Sequence, residues 1–119
     1  MEVILENISK GFGFNEFFVK NINLNIRSSD KVALVGDSGS GKTSILNLIA
    51  GIDRPSSGKV IVGGNHFDNM DENELVRFRR KNIGFVFQAF HLIPHLNIFQ
   101  NIALPCLLLD SDFEKIKLK

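Results

Sequence analysis

A glycine-rich stretch in the first half of the chain restricts its fold more than any other feature. The residues Gly36-Asp37-Ser38-Gly39-Ser40-Gly41-Lys42-Thr43 match the spacing G-x-x-x-x-G-K-[S/T]. Glycines allow a backbone to curl around phosphate oxygens, and the N-terminus of a following helix points N–H groups at the same anion. Lys42 would reach the β- and γ-phosphates, and the Thr43 hydroxyl would suit Mg²⁺, a hard cation. The spacing therefore predicts a loop that binds a nucleotide's phosphates; the alternative is a chance glycine turn.

The residues on either side of this loop fit a strand before it and a helix after it. Val32-Ala33-Leu34-Val35 is a continuous apolar run, which is typical of a strand buried on both faces of a parallel sheet. The helix predicted over 42–50 carries four apolar side chains on one face, Ile45, Leu46, Leu48 and Ile49. Gly51 is expected as the left-handed residue that ends this helix. The strand–loop–helix context supports phosphate binding.

Apolar periodicity predicts further elements along the chain. Residues 3–8 and 17–26 are expected to be antiparallel strands, and 59–62 a short strand between the turns 55–58 and 63–64. Asp71 and Glu74 have the spacing of a capping box, which predicts a helix through about Arg80.

The second half continues in the same alternating way. Residues 83–87 are strand-like, and 90–95 form a predicted loop. Asn97 can cap a last helix, which Pro105 must interrupt or kink. His91 and His95 are four residues apart, but Pro94 between them argues against a helical metal pair, so two solvated histidines in a loop are expected.

Composition excludes several classes of protein. The chain has 119 residues, 44% of them hydrophobic, which fits one domain with a core. Its net charge of +1 lacks the basic footprint of a nucleic-acid binder, so no nucleic-acid partner is expected. The single cysteine, Cys106, fits a reducing compartment. Without an apolar run of about 20 residues or a signal-peptide pattern, the chain is expected to be soluble and cytoplasmic.

The sequence resembles, from end to end, the nucleotide-binding subunits of ABC transporters. Three segments carry the resemblance: the glycine loop, Leu48-Ile49-Ala50-Gly51-Ile52-Asp53-Arg54-Pro55-Ser56-Ser57-Gly58, and Arg79-Arg80-Lys81-Asn82-Ile83-Gly84-Phe85-Val86-Phe87-Gln88. With His91-Leu92-Ile93-Pro94 and Asn101-Ile102-Ala103-Leu104-Pro105, the second half looks most like the lipoprotein-release and macrolide-export branch. The resemblance implies an α/β P-loop NTPase fold, the N-terminal half of an ABC nucleotide-binding domain. That half comprises an antiparallel β-strand region, a parallel core and the start of the helical subdomain.

The resemblance also implies a role for individual residues. Gln88 falls at the Q-loop glutamine, which ligates Mg²⁺ and orients water. The resemblance therefore implies that Gln88 and Lys42 are catalytic residues, and that Thr43 and Gln88 are the metal ligands. Phe12 falls at the aromatic residue that stacks on adenine, where Tyr is usual, and core packing is its alternative. The implied cofactors are ATP and Mg²⁺. The implied nucleotide-binding residues are Phe12, Gly36, Asp37, Ser38, Gly39, Ser40, Gly41, Lys42, Thr43 and Ser44.

Several motifs of the family have no match in this sequence. The signature Leu-Ser-Gly-Gly-Gln, the Walker B carboxylates and the switch histidine are not found, so residues 1–119 are expected to be a partial domain. Asp110 follows an apolar run as in Walker B, but Ser111 stands where a glutamate is expected. The resemblance places the catalytic glutamate beyond Lys119. The chain alone is therefore expected to be a poor ATPase, because hydrolysis needs groups that hold Mg²⁺ and position water.

The resemblance implies partners as well. The full-length subunit would form a homodimer and drive export through a transmembrane permease, against which the Q-loop region and residues 90–104 would pack at the cytoplasmic face. One alternative is a non-catalytic nucleotide-binding or interaction fragment. A small P-loop kinase or GTPase is a weaker alternative, since the guanine-binding motif Asn-Lys-x-Asp has no match.

Overall fold

A computed structural model of the protein describes residues 1–11 and 17–107. The chain divides into two compact units, Met1–Leu75 and a second that begins at Val76. The first unit contains an antiparallel sheet of four strands, β1 (Val3–Gly11), β2 (Phe17–Ile26), β3 (Ser57–Val62) and β4 (Asn65–His66). The strands lie in the order β2-β1-β3-β4, so β1 is central, and Leu5 faces Leu24 on one side and Val60 on the other. The predicted antiparallel pairing of β1 with β2 is confirmed.

Helix α1 (Lys42–Ile49) contacts β1 and β3 and closes the apolar core of this unit. Of its four predicted core residues only Leu48 is fully buried, while Leu46 is exposed. The helix ends in a Schellman motif, in which the Gly51 N–H donates to Leu48 O at 3.1 Å and the Ile52 N–H to Asn47 O at 2.9 Å. Gly51 has a φ of 66°, which confirms its predicted left-handed conformation.

The core of the first unit consists of apolar side chains from the sheet, α1 and the segment that follows β4. Each is worth about 1.5–3 kcal/mol when removed from water. The large apolar residues buried in this unit are Leu5, Ile8, Val19, Leu48, Val60, Val62, Phe67 and, further along the chain, Leu75. The segment after β4 is a 3₁₀ turn, Phe67–Asn69, which the sequence pattern did not predict. Arg54 holds it by donating to Phe67 O at 3.1 Å and Met70 O at 2.7 Å.

The prediction of a buried strand over residues 32–35 is wrong. These residues form neither helix nor strand, and all of them are exposed. The apolar run indicates that these side chains favour burial. A strand also needs neighbouring strands that accept and donate its backbone hydrogen bonds. No parallel strand pair occurs among residues 1–11 and 17–107, so the expected parallel core is not formed there.

Helix α2 (Glu72–Asn82) begins with the predicted capping box. The Glu74 N–H donates to Asp71 Oδ1 at 2.7 Å, and the Asp71 N–H donates to Glu74 Oε2 at 2.9 Å. Leu75 is buried and Phe78 half-buried, as their shared face predicts. The helix continues to Asn82, two residues beyond the predicted end.

The strand predicted over residues 83–87 is also absent. This segment has no regular structure, and the Val86 side chain is 96% exposed. The reason is the same as for 32–35, because the described part of the second unit offers it no neighbouring strand. The ring centroids of Phe85 and Phe87 lie 4.6 Å apart, so these aromatic side chains contact each other.

Helix α3 (Ile98–Leu107) begins where the sequence predicts. Asn97 caps it by accepting the Gln100 N–H at 2.8 Å, and Gln100 Oε1 accepts the Asn97 N–H at 2.9 Å. Pro105 lies inside this helix, which runs on to Leu107 rather than stopping there. In the described residues, no helix combines the length and apolar character needed to cross a bilayer.

Candidate phosphate-binding site

The glycine-rich loop leads directly into the N-terminus of α1. Its turn is closed by the Ser40 N–H, which donates to Asp37 O at 3.2 Å. Gly41 is the N-cap of α1, with a φ of 95°, a conformation that residues with a Cβ rarely adopt. A Cβ on Gly41 would also lie 2.8 Å from Val19 Cγ2 on β2. The glycine therefore lets the loop pass close against the sheet.

The ammonium group of Lys42 is folded back into this loop. Its Nζ donates to Gly36 O at 2.6 Å, to Ser40 Oγ at 3.2 Å, and to the carbonyl of Asp37. A single cation thus gathers oxygen atoms from both ends of the loop. The position is suited to an anion that lies inside the same curve, because a phosphate can replace the carbonyls as acceptor.

The N-terminus of α1 adds donors of the same kind. The first N–H groups of a helix have no partner within it, and its dipole places positive potential there. Among the described residues, no side chain caps α1, and its first turn contains no acidic residue. Thr43 is exposed and Ser44 half-buried in this turn. The geometry therefore brings together Lys42, the Thr43 hydroxyl and free backbone donors, which is a chemistry suited to phosphate.

Gln88 belongs to the second unit, in a bend that follows residues 83–87. Two rings stack across this bend: the ring centroids of Phe87 and His91 lie 4.4 Å apart, with an interplanar angle of 27°. The His91 Nδ1 also lies 3.0 Å from Ala89 O. Gln88 itself is exposed. Phe12, the predicted adenine-stacking residue, and Asp110, the incomplete Walker B match, lie outside the described residues.

Asn101 organises the neighbouring loop, and sequence reasoning gave it no role of its own. Its Nδ2 donates to Leu96 O and Asn97 O, each at 3.0 Å, and to Ile93 O at 3.3 Å. Its Oδ1 accepts the Ile93 N–H at 2.8 Å. One amide thereby ties residues 93–97 to α3. The signal in the sequence was an asparagine one turn after the Asn97 cap.

A cavity of about 250 Å³ lies elsewhere in the first unit, lined by residues that include Arg54, Ser56 and Phe67. The Arg54 guanidinium in this cavity already donates hydrogen bonds to Phe67 O and Met70 O. The glycine loop contributes no residue to it. We therefore assign the phosphate chemistry to the loop and not to this cavity.

Comparison with known proteins identifies relatives of most of the sequence. The family model described as ABC transporter matches residues 19–118. An uncharacterised ABC transporter ATP-binding protein of Methanocaldococcus jannaschii, MJ0796, is 41% identical over 104 residues, covering 85% of this chain and 44% of the relative. A lipoprotein-releasing system ATP-binding protein, LolD, of Francisella tularensis is 39% identical, and the match covers 84% of this chain and 45% of the relative. The macrolide export protein MacB of Bartonella quintana is 40% identical, covering 88% and 16%.

A solved structure gives the corresponding match in three dimensions. It is a dimeric, post-hydrolysis state of the MJ0796 cassette bound to ADP and phosphate. The TM-score is 0.88 at 38% identity, over 96% of this chain and 52% of that one. The predicted fold class is thereby confirmed, and the chain spans about half the length of the cassettes it matches. Since the family model covers most of the sequence, this chain belongs to the ABC transporter family.

Proposed function

We propose that this chain is the nucleotide-binding part of an ABC transporter ATPase and that residues 36–44 bind the triphosphate of ATP with Mg²⁺. The observation that carries the proposal is the Lys42 ammonium, which is held over the glycine loop by Gly36 O and Ser40 Oγ at the N-terminus of α1. Family membership supports the choice of ATP, and one matched cassette was solved with ADP and phosphate.

In this proposal Lys42 exchanges its carbonyl acceptors for oxygens of the β- and γ-phosphates. The ammonium group is attracted to the negatively charged phosphate oxygens more strongly than to neutral carbonyl oxygens, so the exchange favours the bound state. The free N–H groups of the α1 first turn complete the cradle. The Thr43 hydroxyl and the Gln88 amide oxygen would hold Mg²⁺, which draws negative charge from the phosphates, and Gln88 would orient water.

The remaining assignments follow from the family and are part of the same proposal. Phe12 would stack on adenine, and the full-length subunit would dimerise, as the matched MJ0796 cassette does in its own structure. Residues 90–104 and the bend at Gln88 would face a membrane permease at the cytoplasmic surface. The exposed apolar side chains Ile98 and Ile102 on α3 support a protein partner there. Similarity to LolD and MacB supports export as the direction of transport.

Titration calorimetry with Mg-ATP tests the proposal directly. Lys42→Ala should weaken binding by at least about tenfold, because a charge-assisted hydrogen bond is worth about 1.5–3 kcal/mol. Lys59→Ala is the matched control, since Lys59 is an exposed lysine on β3, outside the loop. It should leave the affinity unchanged. Equal affinity of the wild-type chain and Lys42→Ala would contradict phosphate binding by this loop, and preference for GTP would favour another class of P-loop protein.

A further inference from the structure

The last residues of strand β1 are bonded to the segment that follows α1. Lys10 Nζ donates to Asp53 Oδ1 at 2.8 Å and to Arg54 O at 2.7 Å. One residue further along, the Gly11 N–H donates to Ser56 Oγ at 3.2 Å. The Lys10 side chain is only 18% exposed, so its attraction to the carboxylate is screened less than that of a surface pair. These bonds fix β1 as far as its final residue.

A bulge in β1 gives the Lys10 side chain this direction. Between Leu5 and Ile8, β1 has one residue more than β2, and Asn7 at this point has a φ of 50°. In a regular strand Leu5 and Ile8 would lie on opposite faces, whereas with the extra residue they share one, and both are buried. Lys10 follows Ile8 by two residues and therefore lies on that same face.

The end of β1 also lies beside the phosphate-binding loop. Lys10 pairs with Val19 on β2. A Cβ on Gly41, the N-cap of α1, would lie 2.8 Å from Val19 Cγ2 and 3.3 Å from Phe18 O. Val19 thus separates Lys10 from the glycine loop. Contacts within the first unit therefore fix the end of β1 relative to the loop that takes the phosphates.

Residue 12 follows Gly11 directly, and the proposed function assigns the adenine ring to Phe12. Resting on that proposed function, we propose that Lys10 is a positioning residue for the base of ATP and acts through its bonds to Asp53 and Arg54 O. It holds the end of β1 beside the glycine loop before the nucleotide binds. The ordering that contact with the base requires is then already made, and such preorganisation raises affinity.

Calorimetric titrations with Mg-ATP and with Mg-tripolyphosphate separate the base from the phosphates. Stacking of a base on an aromatic side chain is worth about 5- to 150-fold in affinity, so the wild-type chain should prefer Mg-ATP by at least about fivefold. Lys10→Met should lose most of this preference and keep the affinity for Mg-tripolyphosphate. Lys59→Met, at an exposed lysine on β3 of the same sheet, is the matched control and should retain the preference.

Further variants separate positioning from a purely structural role. Asp53→Ala breaks the same pair from the other side and should also lower the preference, so the test does not depend on the folding of one variant. Circular dichroism confirms that each variant is folded. Lys10→Arg keeps a charged donor for Asp53 and should retain much of the preference. In a Phe12→Ala background, Lys10→Met should change neither affinity, because the residue through which it acts is gone.

Four results would overturn the inference. They are a wild-type chain without preference for Mg-ATP, an unchanged preference in Lys10→Met and Asp53→Ala, an equal loss of both affinities in these variants, and additive effects of Lys10→Met and Phe12→Ala. In all four the wild-type chain still binds Mg-tripolyphosphate, so phosphate binding by the glycine loop stands. A folded wild-type chain that binds neither compound would contradict the proposed function and this inference together.

Discussion

Lys10 connects the sheet to the loop after α1 through a charged pair. Its Nζ donates to Asp53 Oδ1 at 2.8 Å and to Arg54 O at 2.7 Å. The hydrogen bond from Lys10 holds the pKa of Asp53 below its ordinary value, against the opposing effect of partial burial, and the Arg54 N–H adds to it. The ionised form of Asp53 is therefore favoured by folding.

This lowered pKa predicts a pH-dependent contribution to stability. The contribution is fully present above the unfolded value of about 3.9 and is lost as pH falls through the lower folded value. Asp53→Asn should lower the free energy of unfolding at pH 7 by no more than about 1 kcal/mol, because the carboxylate is 44% exposed. In urea titrations the difference from wild type should shrink below pH 4, and Lys10→Met should remove most of it. A difference that grows on acidification would contradict this.

At Gly58 the backbone of β3 lies very close to the backbone of β1. The φ of Gly58 is 92°, and a Cβ there would lie 2.5 Å from both Glu6 O and Asn7 O. Gly64 also has a positive φ, 77°, but a Cβ on it would meet no atom within 4 Å. Gly64→Ala should cost only the left-handed strain of about 1–2 kcal/mol. Gly58→Ala should cost at least about 1 kcal/mol more in urea unfolding, and equal losses would show that the steric contact is unimportant.

Helices and strands differ in how far the sequence determines them. The caps at Asp71 and Asn97 and the end at Gly51 were predicted correctly, because each depends on residues within one turn. The strands predicted over 32–35 and 83–87 were wrong, because their hydrogen bonds need a distant neighbour that a local pattern does not report. Strand β3 begins two residues early, at Ser57, because Gly58 fits against β1 where a turn was expected.

The Asn101 amide gives a prediction for the start of α3. Asn101→Asp replaces a donor group with an acceptor that faces the carbonyls of Ile93, Leu96 and Asn97. We expect these carbonyls to move away from the carboxylate, since an unsatisfied polar contact costs about 1–3 kcal/mol. Exchange of the Leu96 amide, which donates to Ile93 O at 3.1 Å, should then accelerate about tenfold or more. Gln100→Glu makes the same change of charge but keeps the oxygen that accepts the Asn97 N–H, so it should have little effect. Similar acceleration in both variants would point to charge alone.

The residues to which the proposal gives a role lie in both units of the chain. The phosphate cradle around Lys42 is local to the first unit, which is why a spacing rule could name it. Gln88 belongs to the second unit, and only the family resemblance assigned its role. A motif read from sequence identifies a loop well, whereas the role of a single residue outside such a motif is not encoded by spacing.

The proposed function predicts that this chain binds Mg-ATP but does not sustain its hydrolysis. Hydrolysis needs a group that activates the attacking water and a carboxylate that helps to hold Mg²⁺, and this sequence offers no match to the family's catalytic glutamate or Walker B carboxylates. In a phosphate-release assay with excess Mg-ATP, the chain should not exceed the background of Lys42→Ala. Joining the unmatched half of the M. jannaschii cassette should restore turnover that Lys42→Ala removes. Multiple turnovers by the 119-residue chain alone, lost in Lys42→Ala, would contradict this prediction, while an inactive but folded chimera would favour a non-catalytic nucleotide-binding role.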